Sequence, residues 1–111
     1  MPRSAIWITA LIVAGAVSTA APHAATEGAK VFTAQKCALC HSVGGKGNLK
    51  GALDEVGTKL SDNDIRAWIV DAKGMTATTK APRKPVMKAY ALPKEDVDAL
   101  VEYLSAMKKK E

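Results

Sequence analysis

The chain has 111 residues, 48% of them hydrophobic, with only two Cys, two His and five aromatics. That length sets a limit of one domain, and so few cysteines and histidines exclude a multi-disulfide framework and several independent metal sites. The net charge of +5 comes from 16 basic residues interspersed with 11 acidic ones, which is not the clustered positive surface of a nucleic-acid-binding domain.

The first 25 residues hold 16 of the hydrophobic residues and one charged side chain, Arg3. An apolar run from Ala5 to Val17 follows the basic start, and small residues then lead through Ser18, Thr19, Ala20 and Ala21 to Ala24 and Ala25. This order describes a secretory signal peptide, cleaved at a boundary between residues 20 and 25. The competing reading, an uncleaved anchor, has only 17 residues from Ala5 to Ala21, near the lower limit for a membrane span. The expected organisation is therefore a signal peptide over 1–25 and one domain over 26–111, carrying a net charge of +4. A mature domain of 86 residues, 12 of whose hydrophobics are Ala, has little interior and commonly needs a disulfide, metal or cofactor.

Three helices are predicted. The first runs from about Glu27 to Lys36, with Thr26 as N-cap and Val31, Phe32 and Gln35 on one face. The second starts at Ser61, with Asp64 completing a short capping box, Leu60 and Ile65 as a staple, Ile65, Trp68 and Ile69 as the apolar stripe, and Gly74 as the end. The third begins with Pro93 at the first helical position. Its stripe is Val97, Leu100, Val101, Leu104 and Met107, with Tyr103 beside it. Glu95, Asp96 and Asp98 at its start and Lys108, Lys109 and Lys110 at its end match the helix dipole. Between helices the chain is rich in Gly from 44 to 57 and punctuated by Pro82 and Pro85, and no segment alternates with period two. The fold class is all-α, with loops long enough to need something to wrap around.

Residues 37–41 read Cys37-Ala38-Leu39-Cys40-His41, the C-x-x-C-H signature of covalent haem attachment. Two thiols three residues apart can add across the two vinyl groups on one haem edge, and the following His is then aimed at the iron. A structural zinc site needs four ligands, and the mature chain offers no second cysteine pair and no downstream His. A thioredoxin-like redox pair expects a strand–helix–strand setting that is missing here, and a plain disulfide leaves His41 unexplained. The second axial ligand is sought among methionines, because His23, the only other histidine, lies in or beside the signal segment. Met107 falls on an apolar stripe, Met75 follows Gly74, and Met87 lies in a loop stiffened by Pro85. Met87 is preferred, with Met75 as its competitor.

The chain resembles the small bacterial class I (monohaem) cytochromes c over most of residues 26–107. Cys37, Cys40 and His41 match the attachment site, and Pro85-x-Met87 resembles the axial-methionine loop. The resemblance implies three main helices and their loops around one haem c, with the N- and C-terminal helices crossing. Gly28, Phe32, Leu100 and Tyr103 sit at the crossing, and Trp68 matches an aromatic that in some members lies near a haem propionate. Two positions depart from the pattern. No proline follows the motif where a backbone carbonyl commonly orients the axial His, the stretch here being Gly47-Asn48-Leu49, and Lys88 replaces a proline after Met87.

The function implied is periplasmic one-electron transfer between redox proteins, without enzymatic activity, by a monomer that is not inserted in the membrane once its signal is cleaved. Lys36, Lys46, Lys50, Lys80, Arg83, Lys84 and Lys88 fall in segments expected to border the haem. A basic ring there would steer partners with acidic docking surfaces. Two alternatives are a haem-bearing electron-transfer subunit of a larger oxidoreductase complex and a haem-based enzyme or sensor with a labile sixth ligand.

Overall fold

Helix α1 (His23–Ala34) and helix α5 (Lys94–Ser105) form the main packing unit of a computed structural model that describes Gly15 and residues 23–110. The expected signal segment lies outside the described residues, apart from Gly15 and its last three residues. At the α1–α5 contact Gly28 lies against the Ala99 carbonyl and the Tyr103 Cβ, so a side chain at position 28 would collide with backbone. One turn on, Phe32 meets Tyr103 edge to face, with ring centroids 6.0 Å apart and planes at 66°. The small residue lets the helices approach and the aromatic pair fills the space beside it, as the resemblance implied. Helix α1 starts a turn earlier than expected, so Thr26 lies inside it rather than at its cap; Ala24 and Ala25, strong helix formers, extend it.

After α1 come a 3-10 turn (Cys37–Leu39), two short antiparallel strands, β1 (Ser42–Val43) and β2 (Lys46–Gly47), a second 3-10 turn (Leu49–Gly51) and a one-turn helix α2 (Val56–Lys59). The strands correct the expectation of none. Each is two residues long, too short to show alternation, and the turn between them uses Gly44 and Gly45 at φ 58° and 79°.

The second predicted helix is two helices, α3 (Asp62–Val70) and α4 (Ala72–Thr79). The Ser61 hydroxyl caps α3 by accepting the Asp64 N–H at 3.1 Å, as the sequence indicated. The break falls at Asp71 rather than Gly74. Asp71 leaves the helical region (φ −141°, ψ 51°), and its carboxylate accepts the Gly74 N–H at 3.2 Å, which starts a new helix containing Gly74 and Met75.

Helix α5 takes Pro93 as its N-cap and starts at Lys94, one residue after the expected first position. It buries Val97, Ala99, Leu100, Val101 and Leu104. It stops at Ser105, so the last lysines do not complement its dipole. Instead the terminal segment clasps α2: Gly57 N–H donates to the Met107 carbonyl at 2.8 Å, Lys108 Nζ to the Gly57 carbonyl at 3.1 Å, and Lys109 N–H to the Thr58 hydroxyl at 2.7 Å. The core joins Phe32 of α1, Ile65 and Ile69 of α3, and Val97, Leu100, Val101 and Leu104 of α5. The architecture is all-α with one minor hairpin.

Replacing a helical Gly by Ala ordinarily stabilises by about 0.5–1 kcal/mol. At position 28 the collision with the Ala99 carbonyl reverses that sign, so Gly28→Ala is expected to lower unfolding free energy by about 1–3 kcal/mol, the usual cost of overpacking. Guanidinium unfolding of the mature protein checks this; an unchanged or higher midpoint contradicts it.

Candidate haem site

Helix α1 ends where Lys36 turns left-handed (φ 57°), and the chain re-enters as a single 3-10 turn. Cys40 N–H and His41 N–H both donate to the Cys37 carbonyl, at 3.1 and 2.9 Å. The two thiols and the imidazole are therefore carried on one tight turn. Asn48 fixes that turn from outside. Its N–H lies 3.1 Å from the Ala38 carbonyl and 3.0 Å from that of His41, and its side-chain amide donates to Leu39 at 3.3 Å. Ser42, buried directly after His41, accepts the Leu53 N–H at 2.9 Å through its carbonyl.

The His41 ring has its Nδ1 3.0 Å from the Gly51 carbonyl. A carbonyl only accepts, so Nδ1 carries the proton, and in the neutral ring Nε2 keeps its lone pair for a metal. Burial holds the His41 pKa below the ordinary histidine value; the Gly51 bond opposes this and the Arg83 charge adds to it. The neutral form that metal ligation requires is thus favoured. Burial also pushes the Cys37 thiol up. Neither cysteine is in a disulfide.

These residues line a cavity of about 550 Å³, within the roughly 300–1,000 Å³ typical of cofactor and ligand sites. Cys37, Cys40 and His41 form one part of its wall. The segments around Leu53, Val56 and Leu60, and Ile65, Trp68 and Ile69 of α3, form others, and Leu100 and Leu104 of α5 close it. The remaining wall is the loop 81–93, which contributes Arg83, Pro85, Val86, Met87, Lys88 and Tyr90. Met87 is half-buried in this wall. Met75 is not part of it, although its neighbour Thr76 is, and Met107 packs at the edge of the core. Tyr90 N–H donates to the Ile69 carbonyl at 2.8 Å, and Lys88 Nζ sits 5.0 Å from the Tyr90 ring centre.

An apolar cavity walled by two unpaired thiols, a histidine with Nε2 available and a thioether fits a covalently tethered haem. A zinc reading has no support: among the described residues no three His, Cys, Asp or Glu side chains group to hold a metal ion. Of the basic residues expected at the site, Lys36, Arg83 and Lys88 line the cavity; Lys46, Lys50, Lys80 and Lys84 are exposed and are not part of its wall. Sequence reasoning missed the Gly51 carbonyl and Asn48 as the devices that orient His41. The glycine-rich stretch around them was the only signal. Among the described residues no helix is long and apolar enough to cross a membrane.

The family model described as Cytochrome c matches residues 25–108 of this chain. No match to a curated protein or to a solved structure was found. For the chain matured in a haem-ligating host, mass spectrometry is expected to find haem retained after denaturation. Replacing both Cys37 and Cys40 by Ser is expected to abolish that retention, and either single change to leave one tether. Retention in the double variant would place the attachment elsewhere.

Proposed function

The chain belongs to the cytochrome c family, whose members carry electrons between redox partners on covalently attached haem, and from that premise we propose that it is a periplasmic one-electron carrier with a single haem c tethered by Cys37 and Cys40 and ligated by His41 and Met87. The observation that carries this reading is the convergence of both thiols, His41 and Met87 on one apolar cavity, with Met75 and Met107 outside its wall. The haem supplies the one-electron couple. His41 would hold the iron through Nε2 while the Gly51 carbonyl holds its other nitrogen, and Met87 would hold it through its sulfur from the loop. An iron held by both side chains would offer a substrate no place to bind, which favours outer-sphere transfer over catalysis. A soft thioether favours the reduced state and raises the potential relative to a second histidine. The apolar walls act in the same direction, because the additional positive charge of the oxidised site is disfavoured in a low dielectric.

Export is supported by the basic start, apolar run and small-residue end of residues 1–25. Docking is assigned to the cavity mouth. Leu39 and Val86, 73% and 42% exposed, line the cavity alongside Lys36, Arg83 and Lys88. An apolar spot bordered by positive charge suits a transient partner with an acidic docking surface.

The oxidised protein is expected to show a weak far-red absorption band that Met87→Ala removes and Met75→Ala leaves in place. A high-spin spectrum in the unaltered protein, or a band that persists in Met87→Ala, rejects the ligand assignment. Electron-transfer rates with an acidic partner are expected to fall as salt rises across the range where the screening length drops from about 30 to about 10 Å; a flat rate rejects electrostatic docking.

A further inference from the structure

We propose that Arg83 is a positioning residue that locks the loop bearing Met87 onto the backbone that holds His41. Arg83 lies four residues before Met87, in the segment 81–93 that has no helix or strand. Its Nη2 donates to the Cys40 carbonyl at 2.5 Å, a contact that spans 43 residues of chain. The same guanidinium rests against Gly51, where a Cβ would collide with both the guanidinium and the Cys40 carbonyl. Gly51 is also the residue whose carbonyl accepts from His41 Nδ1. One planar group therefore touches the residue just before His41 and the residue that orients its ring. Among the described residues Arg83 forms no salt bridge, so its charge remains beside His41.

Two consequences follow. The guanidinium restrains the loop by one hydrogen bond to the Cys40 carbonyl and by its packing on Gly51, a combination that a lysine does not reproduce, since its ammonium is a compact point charge that cannot cover Gly51 while it donates. The fixed positive charge disfavours the oxidised site, an effect that a lysine at the same position largely keeps. The inference rests on Met87 being the sixth ligand.

The test compares the mature holoprotein with Arg83→Lys, Arg83→Gln, Met87→Ala and, as a charge control on α4, Lys73→Gln. Cyanide must displace the sixth ligand, so its rate of binding to the oxidised form reads how firmly the loop is held. Both Arg83 variants are expected to bind cyanide about tenfold to a hundredfold faster, the scale of one charged hydrogen bond. The potential is expected to fall in Arg83→Gln and to stay near the unaltered value in Arg83→Lys. Lys73→Gln is expected to change neither. If Met87→Ala loses the far-red band while both Arg83 variants bind cyanide at the unaltered rate, the Arg83 inference is overturned and the ligand reading stands. If Met87→Ala keeps the band, both fail. Should Arg83→Gln not mature, Arg83→Lys still decides, because it keeps the charge and an aliphatic stem and lacks the planar group that rests on Gly51.

Discussion

Most of the side chains of the buried core also form part of the cavity wall. Phe32, Ile65, Ile69, Leu100 and Leu104 belong to the buried cluster and also line the cavity. Folding and cofactor binding are therefore one packing problem. Left facing water, the apolar walls of this cavity would forgo burial that a small domain can hardly spare. A domain with this few large apolar residues therefore depends on a group that covers them. The covalent tether suits this dependence, since a group that is part of the core cannot exchange with solvent without unfolding the protein.

The same constraint explains why so much hydrogen bonding surrounds one short turn. The segment 37–51 has little regular structure, yet Asn48 reaches three carbonyls around the cysteines and His41, and Gly51 holds the imidazole. A 3-10 turn of three residues is weak in isolation. Sutured to the hairpin and to the second 3-10 turn, it becomes a rigid bracket. Rigidity there suits the electron transfer proposed for the chain, because a ligand that does not move between oxidation states would add little to the reorganisation that accompanies each transfer.

How much of this was legible in the sequence follows from the range of each interaction. The Cys37–His41 pattern stood out because it occupies five consecutive residues, and the structure sets its two thiols and imidazole on one cavity wall. The α5 stripe was readable because a helix repeats its buried positions every three or four residues. The Asp71 break was not, because a capping carboxylate competes with helix continuation only once the backbone has turned, and Gly74 looked like the more ordinary stop. The three final lysines looked like charge complementing a helix end; Lys108 and Lys109 instead bond to α2, a one-turn helix too short to carry a periodic signal. The Gly51 carbonyl was least legible of all, since every residue carries one and only the folded path of the chain selects it.

The loop 81–93 shows how an element without secondary structure can still present one atom accurately. It is anchored at three points: the Ala81 N–H on the Thr76 carbonyl at 3.3 Å, Arg83 on the Cys40 carbonyl, and the Tyr90 N–H on the Ile69 carbonyl at 2.8 Å. Met87 lies between the last two, four residues after one and three before the other. Between these anchors Pro85 fixes one backbone torsion and removes freedom that the loop would otherwise lose on folding. The three anchors join the loop to α4, to the haem-attachment turn and to α3, so a displacement of Met87 requires either a break in one of these bonds or a shift of the element it is tied to. A flexible thioether is held in place in this way because its supports are distributed over the fold, and the loop needs no helix of its own.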